Sequence, residues 1–338
     1  MRYYKHLKPR QITILIILGV VSVVAFILSL IFGSFSIPVL KLLSGNATPL
    51  QIEILSQIRG PRVILTIFVG AALGISGAAL QGLFRNPLAD PGLIGVSAGA
   101  ALGAVLAIIF PLNVLPEIAL GVYAVPLSAT VGSGVVIALL FFLTRGFTQA
   151  GITYMLLVGI AVNALATVGI GLLTFISTDS QLRGLTFWLM GSFGGARWSL
   201  IIPVIFIISL SISFMLAYSR RLDLIQLGES EARRLGVNVR RVKIIIILSA
   251  AFMIGASVSL SGIIGFVGLV VPHLVRLIGG PNHTYLLAGS ALLGSGIMVL
   301  ADLTSRIVIQ PAELPVGLAT SALGAPFFLW LVLRLKKS

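Results

Sequence analysis

The sequence predicts an all-α integral membrane protein with about ten transmembrane helices, and three features of the chain predict it. Hydrophobic residues make up 58% and charged residues 9%, with a mean hydropathy of +1.13, well outside the range of a water-soluble domain. Apolar runs of about 20 residues recur, long enough for a helix to cross a hydrocarbon core of about 30 Å, and the ~10-residue alternating segments of a membrane barrel are absent. The basic residues segregate: with ten spans and the N-terminus inside, 17 Lys and Arg fall on the cytoplasmic side and 6 outside. The formal charge of +14 therefore reads as positive-inside topology and not as a nucleic-acid surface. The absence of cysteine excludes disulfides, thiolate metal sites and a thiol nucleophile.

Span 1 is Ile12–Phe32. Basic Met1–Arg10 ahead of it looks like a signal peptide, but the 21-residue apolar run exceeds the usual core of such a peptide, so the span is read as retained. A polar segment, Gly33–Arg62, precedes span 2, Val63–Leu83, whose glycines and alanines let helices approach closely. Two prolines and a glycine in Arg85–Gly92 break the apolar run. Span 3 is about Leu93–Phe110, and after a turn at Pro111–Glu117 come span 4, Ile118–Leu143, and span 5, Ile152–Ile176. Ser177–Trp198 is half polar and aromatic, which suits a short interfacial helix anchored by Trp188 and Trp198. Span 6 is Leu200–Tyr218.

From Ile244 to Val275 run 32 residues without a formal charge. One helix of that length would be about 48 Å long, too long for the bilayer core. Gly262, Gly265 and Gly268 divide it into span 7, Ile244–Ile264, and span 8, Phe266–Ile278; a merged span would put the basic tail outside. Span 9 is Tyr285–Leu303, and span 10, Val316–Leu333, follows a polar turn at Thr304–Pro315. His6 and His283 fall at the inner edge, where solvation is expected. Gly74–Gly82 in span 2 echoes Gly255–Gly262 in span 7, five spans away, so the two copies run in opposite directions, as in an inverted repeat. Residues 1–338 read as one polytopic domain.

The one long polar interruption, residues 219–243, carries seven basic and three acidic residues, net +4. Within Leu227–Gly236 the acids come first, the arginines last and a glycine follows, the order that suits a helix dipole and its C-cap. Such a helix has barely two turns and is not stable alone in water, so it needs a surface to lie on. The plainer reading is a positive-inside anchor. Apolar Leu227, Leu235 and Val237 favour a docking helix for another protein.

The chain has no engine of its own. No acidic residue lies in the middle of a span, which disfavours a proton- or sodium-coupled carrier. A phosphate loop needs Gly-Lys-Ser/Thr, and none of the six lysines follows a glycine. Uphill transport would therefore draw on a separate subunit, and no catalytic residue is expected here. A channel or secondary carrier working alone is the rival of a different class.

Five motifs, in order, resemble one family: Arg59-Gly60-Pro61-Arg62, the stretch from Arg85 to Ser97, Leu227–Val237, Gly265–His273 and Ala312–Gly317. Together they resemble the FecCD-type permease of bacterial ABC importers for haem, ferric siderophores and cobalamin. The resemblance implies a cobalamin-permease type of fold with an inverted repeat, working as a homodimer in the bacterial cytoplasmic membrane with both termini cytoplasmic. Two ATPase subunits would sit inside, using ATP and Mg, and a substrate-binding protein would dock outside; this chain itself would bind no cofactor and no metal. Leu227, Gly228, Glu229, Ala232, Arg233, Leu235, Gly236 and Val237 would form the helix coupled to the ATPase. Arg59, Arg62 and Arg306 match the family's contacts to the binding protein's carboxylates, a task suited to bidentate guanidinium forks. Their plainer role is anchoring, with Arg306 paired to Asp302 one turn earlier.

The resemblance also implies a pathway lined by span 5 and Ser177–Gly195, with a cytoplasmic gate at Thr148–Thr153. Thr153, Asn163 and Thr167 are the polar groups there; the hydroxyls could simply bond their own backbone, whereas the buried Asn163 amide needs a partner. Ala98 has a methyl where relatives often have a small polar group. His273 reads as structural and not as a haem ligand. Haem or a ferric siderophore is the expected cargo, since Arg85–Gly99 looks most like haem-type members. Cobalamin or an oxyanion is the alternative.

Overall fold

The computed structural model describes residues 7–33, 35, 45, 47–110, 121–143 and 151–335, and contains helices and turns but no strand among them. Helix α1 is Pro9–Ile31, with Pro9 in its first turn, and α2 is Pro49–Phe84, a 36-residue rod. Then come α3 (Val96–Ile109), α4 (Ala124–Leu143), α5 (Gly151–Phe175), the short α6 (Asp179–Met190) and α7 (Trp198–Ala217). Two short helices, α8 (Ser219–Gln226) and α9 (Glu229–Arg234), precede α10 (Val239–Ser261), α11 (Val267–Gly279), α12 (His283–Ile307) and α13 (Val316–Leu335). Among the described residues seven helices are long and apolar enough to cross a membrane, and α3, α11 and α13 are shorter apolar helices, ten in all against the ten expected spans.

Local chemistry accounts for most of the ends. Thr48 and Gln51 form a capping box ahead of α2, and Pro49 takes the first helical position, where its missing N–H is no loss. That cap starts α2 well before the expected Val63. A π-helical stretch, Ile54–Arg59, carries the helix through the end of the expected polar segment. Thr178 and Gln181 form a second box on α6, and the side chains of Asn238 and Asn282 cap α10 and α12.

The expected break after α10 is present. Gly262 has φ +68°, and a Cβ there would lie 2.1 Å from the Trp188 carbonyl oxygen, so no other residue fits. Ser192 N–H donates to the Ser261 carbonyl, and Val316 N–H donates to that of Gly191, so the break is also where α6 and α13 join. α2 and α10 each lead through a Gly- or Pro-broken turn into a short apolar helix, the repeat that the Gly74/Gly255 echo suggested.

α2 is the axis of the packing: its most apolar stretch is 83% buried, with α10, α11 and α12 around it and α1 outside α12. Glycines set the distances. A Cβ on Gly77 would stand 1.8 Å from the Gly268 carbonyl oxygen of α11, and Gly70 and Gly294 face each other across α2 and α12 in the same way. Gly77→Val should therefore cost more than the roughly 1–3 kcal/mol typical of core overpacking, seen as a sharply lower thermal midpoint of the detergent-purified protein, because backbone and not side chain is in the way. An unchanged midpoint would mean that the α2–α11 contact is not as close as this. α5 is the opposite case: 17% of its apolar window is buried within the chain, and Leu157, Ile160, Leu165 and Leu172 point away from the subunit.

Candidate functional site

The polar loop folds into α8 and α9, two helices held against the membrane body at one end of the bundle. Leu222 and Ile225 of α8 are buried, and the helix is tied to the end of α2 by two bonds. The Arg85 guanidinium donates to the Ile225 carbonyl at 2.7 Å, and the Gln226 amide donates to the Gly82 carbonyl. Arg85 can reach because it ends α2 in a left-handed conformation, φ +50°. Asp223 binds the start of α12: its Oδ1 accepts from the His283 N–H at 2.9 Å and lies 2.7 Å from His283 Nδ1. His283 is buried and not solvated as expected, because α8 folds over it.

α9 is as short as the sequence implied, and its residues divide by direction. Gly228 (φ +121°) turns the chain into it and Gly236 (φ +81°) ends it, with Val237 N–H donating back to the Ala232 carbonyl. Ala232 and Val237 are buried, and Glu229 points inward to Lys243 at the start of α10, Nζ to Oε1 2.6 Å. Leu227 and Leu235 are 64% and 57% exposed, beside the exposed Arg233 and Arg234. Glu229 and Glu231 also pair with Arg233 and Arg234 along the helix. The outward face is thus two bare leucines amid arginines, the chemistry of a site for another protein. Asp223 and Lys243 lay within the expected polar interruption, but their partners His283 and Glu229 were not foreseen, nor were the ties of Gln226 and Arg85 between α8 and α2. A lysine opening an apolar span was the one signal available.

The broken stretch after α2 packs on α5. Asn163 donates through Nδ2 to the Gly92 carbonyl at 3.2 Å, which supplies the partner its amide requires. Gly159 of α5 lets the Leu93 carbonyl approach, and Gly95 has φ +85°. Asp90 Oδ1 accepts from the Gly92 N–H at 2.7 Å; burial pushes the Asp90 carboxyl up from the usual carboxylate range, and that hydrogen bond opposes the shift. Thr167 is exposed and donates to its own helix at the Asn163 carbonyl, the plainer of its two expected roles. The side chain of Thr153 and the turn before it lie outside the described residues.

At the other end of the bundle, Arg59, Arg62 and Arg306 are buried, 4%, 6% and 5% exposed, and bonded within this chain. Expected to turn their forks outward, they turn them inward. Arg62 grips Asp302 through Nε and Nη2 (3.0 and 2.8 Å to Oδ1) and Glu313 through Nη1 at 2.9 Å. Arg306 Nε lies 3.1 Å from the second Asp302 oxygen, and its Nη2 donates to the Ser29 carbonyl and hydroxyl. Arg59 donates to the carbonyls of Leu30, Ile31 and Phe35. The physical reason is the end of α1: its last carbonyls have no helical partner, and arginines from neighbouring helices reach them. Glu313, its side chain 43% exposed, is the member of the cluster that meets the surface.

No group of three or more His, Asp or Glu that could hold a metal occurs among the described residues. The ring of His273 lies edge-on to Phe327 at 6.1 Å.

Comparison with known proteins bears on this geometry. The family model for the FecCD transport family matches residues 20–334. The chain is 46% identical over 302 residues to the hemin transport system permease protein HmuU of Yersinia pestis, covering 89% of this chain and 90% of the relative. It is 38% identical over 327 residues to the vitamin B12 import system permease protein BtuC of an Escherichia coli strain, covering 95% and 94%. A solved structure, described as a metal-chelate type ABC transporter in an inward-facing conformation, superposes with a TM-score of 0.85 at 34% identity, over 95% of this chain and 99% of that one. Ten apolar helices, a basic unit with exposed leucines, and a match along nearly the whole length lead to one conclusion: the chain belongs to the FecCD transport family of ABC transporter permeases.

Proposed function

We propose that the chain is one of two identical permease subunits of an ATP-driven importer, and that it carries an iron chelate, haem or a ferric siderophore, into the cell. The observation that carries this reading is the α8–α9 unit, which is held on its inner side and presents exposed Leu227 and Leu235 on the other. An ATPase subunit would press there, since the chain has no phosphate loop to supply energy itself. On this reading α8, α9 and both termini would lie on the cytoplasmic side, in keeping with the positive-inside rule. The exposed face of α5 would meet the second copy and line the path, with Asn163 and Thr167 as its polar groups and Thr153 at the inner gate.

The external binding protein would dock at the end held by Arg59, Arg62 and Arg306. Their buried forks would fix the shape of that face, and Glu313 would be its exposed charge. Haem is favoured as cargo by the similarity to the hemin permease; cobalamin is the second reading, favoured by the vitamin B12 permeases. The apolar lining gives the path little affinity of its own, so selection would belong to the binding protein.

Reconstitution of the permease with its ATPase and binding protein in liposomes tests this. ATP-dependent haem uptake is expected, with cobalamin uptake the outcome for the second reading. Uptake by the purified chain without any ATPase would defeat both.

A further inference from the structure

We infer that Lys243 is a positioning residue for coupling, and that its ion pair with Glu229 carries the motion of α9 into α10. The inference rests on the reading of α9 as the ATPase-coupling helix and adds the route by which force leaves it. Lys243 is fully buried in the first turns of α10, and its Nζ lies 2.6 Å from Glu229 Oε1. Nζ has no hydrogen-bond partner among the described residues, so its one close polar contact there is the ionic one to Glu229. Glu229 is therefore the counter-ion on which a buried ammonium depends. Moving α9 away from α10 would strand that charge out of water, and this costs far more than thermal energy.

The surroundings make this pair the link for α9. α9 has six residues, too few to be stable alone, and it packs on α8 and α10. α8 is anchored elsewhere, on α2 through Arg85 and Gln226 and on α12 through Asp223. Ala232 gives α9 a flush apolar seat but nothing that resists sliding, whereas an ion pair out of water fixes one atom against another. α10 is in turn a long, largely buried helix packed along α2 and α7. A push on Leu227 and Leu235 therefore reaches α10 through Glu229 and Lys243, and through α10 the body of the permease.

The test uses the whole importer, with ATPase and binding protein, in liposomes, and reads substrate moved per ATP hydrolysed. A residue that merely holds the fold changes the amount of active importer, and transport and hydrolysis then fall together with their ratio intact. Lys243→Met and Glu229→Gln are each expected to lower the ratio by about tenfold or more, within the usual span of coupling factors. Lys243→Arg is expected to keep most of it. A wild-type ratio in Glu229→Gln overturns the inference, as does a Lys243→Arg ratio as low as that of Glu229→Gln. These two variants decide the matter even if Lys243→Met does not fold. Replacing Leu227 and Leu235 by Asp separates this from the underlying reading. If that pair leaves the ATPase bound and import running, α9 is not the coupling helix at all, and both fall.

Discussion

Asp302→Ala is expected to destabilise the permease more than any other single change in the arginine cluster. Asp302 is fully buried and serves two guanidinium groups, Arg62 through both oxygens, most closely Oδ1, and Arg306 at Oδ2. Breaking a buried pair by removing one partner costs about 3–5 kcal/mol, because it leaves an uncompensated charge, and here it leaves two. Glu313 can hold part of Arg62, but its exposed carboxylate is screened by solvent, so Glu313→Gln is expected to cost under about 1 kcal/mol. Thermal unfolding of the detergent-purified protein gives both numbers. The same logic predicts a rescue: Asp302→Leu combined with Arg62→Met and Arg306→Met removes the charges together and should recover most of the loss. Equal destabilisation by Asp302→Ala and Glu313→Gln would show that the cluster is far wetter than its burial implies.

Leu227→Asp with Leu235→Asp is expected to abolish both ATPase capture and import while leaving the permease folded. Each leucine is more than half exposed, so neither change empties a core. An apolar anchor at the centre of an interface commonly carries 2 kcal/mol or more, roughly, and placing a carboxylate in its pocket adds desolvation. Together the two substitutions should weaken assembly by at least about a hundredfold. Copurification of the tagged permease with its ATPase reads the loss, and an unchanged thermal midpoint shows that the fold survives. Retained copurification would put the contact elsewhere on the molecule.

The two variants test opposite ends of the bundle, and the sequence was informative at them to different degrees. At α9 the order of acids, arginines and glycine already described a capped helix of two turns, because dipole and capping preferences act over a few residues. Which way each side chain faces was not legible. Glu229 and Lys243 are 14 positions apart, and only the fold of α8 and α9 against α10 brings them together. At the other end the local Arg306–Asp302 pairing was legible as the plainer reading, but the inward turn of Arg59 and Arg62 was not. Arg62 lies 240 residues from Asp302, a pairing that no local pattern encodes.

What the sequence by itself determined is the architecture: ten apolar helices, the break at Gly262 and the basic unit at residues 219–243. These follow from hydropathy, glycine and proline geometry and charge asymmetry, all of which act within one helix or one loop. Only the tertiary structure decided where the charges point. In a chain with 9% charged residues, each one entering the interior must find an opposite charge or a bare carbonyl, and helix packing alone determines which is within reach.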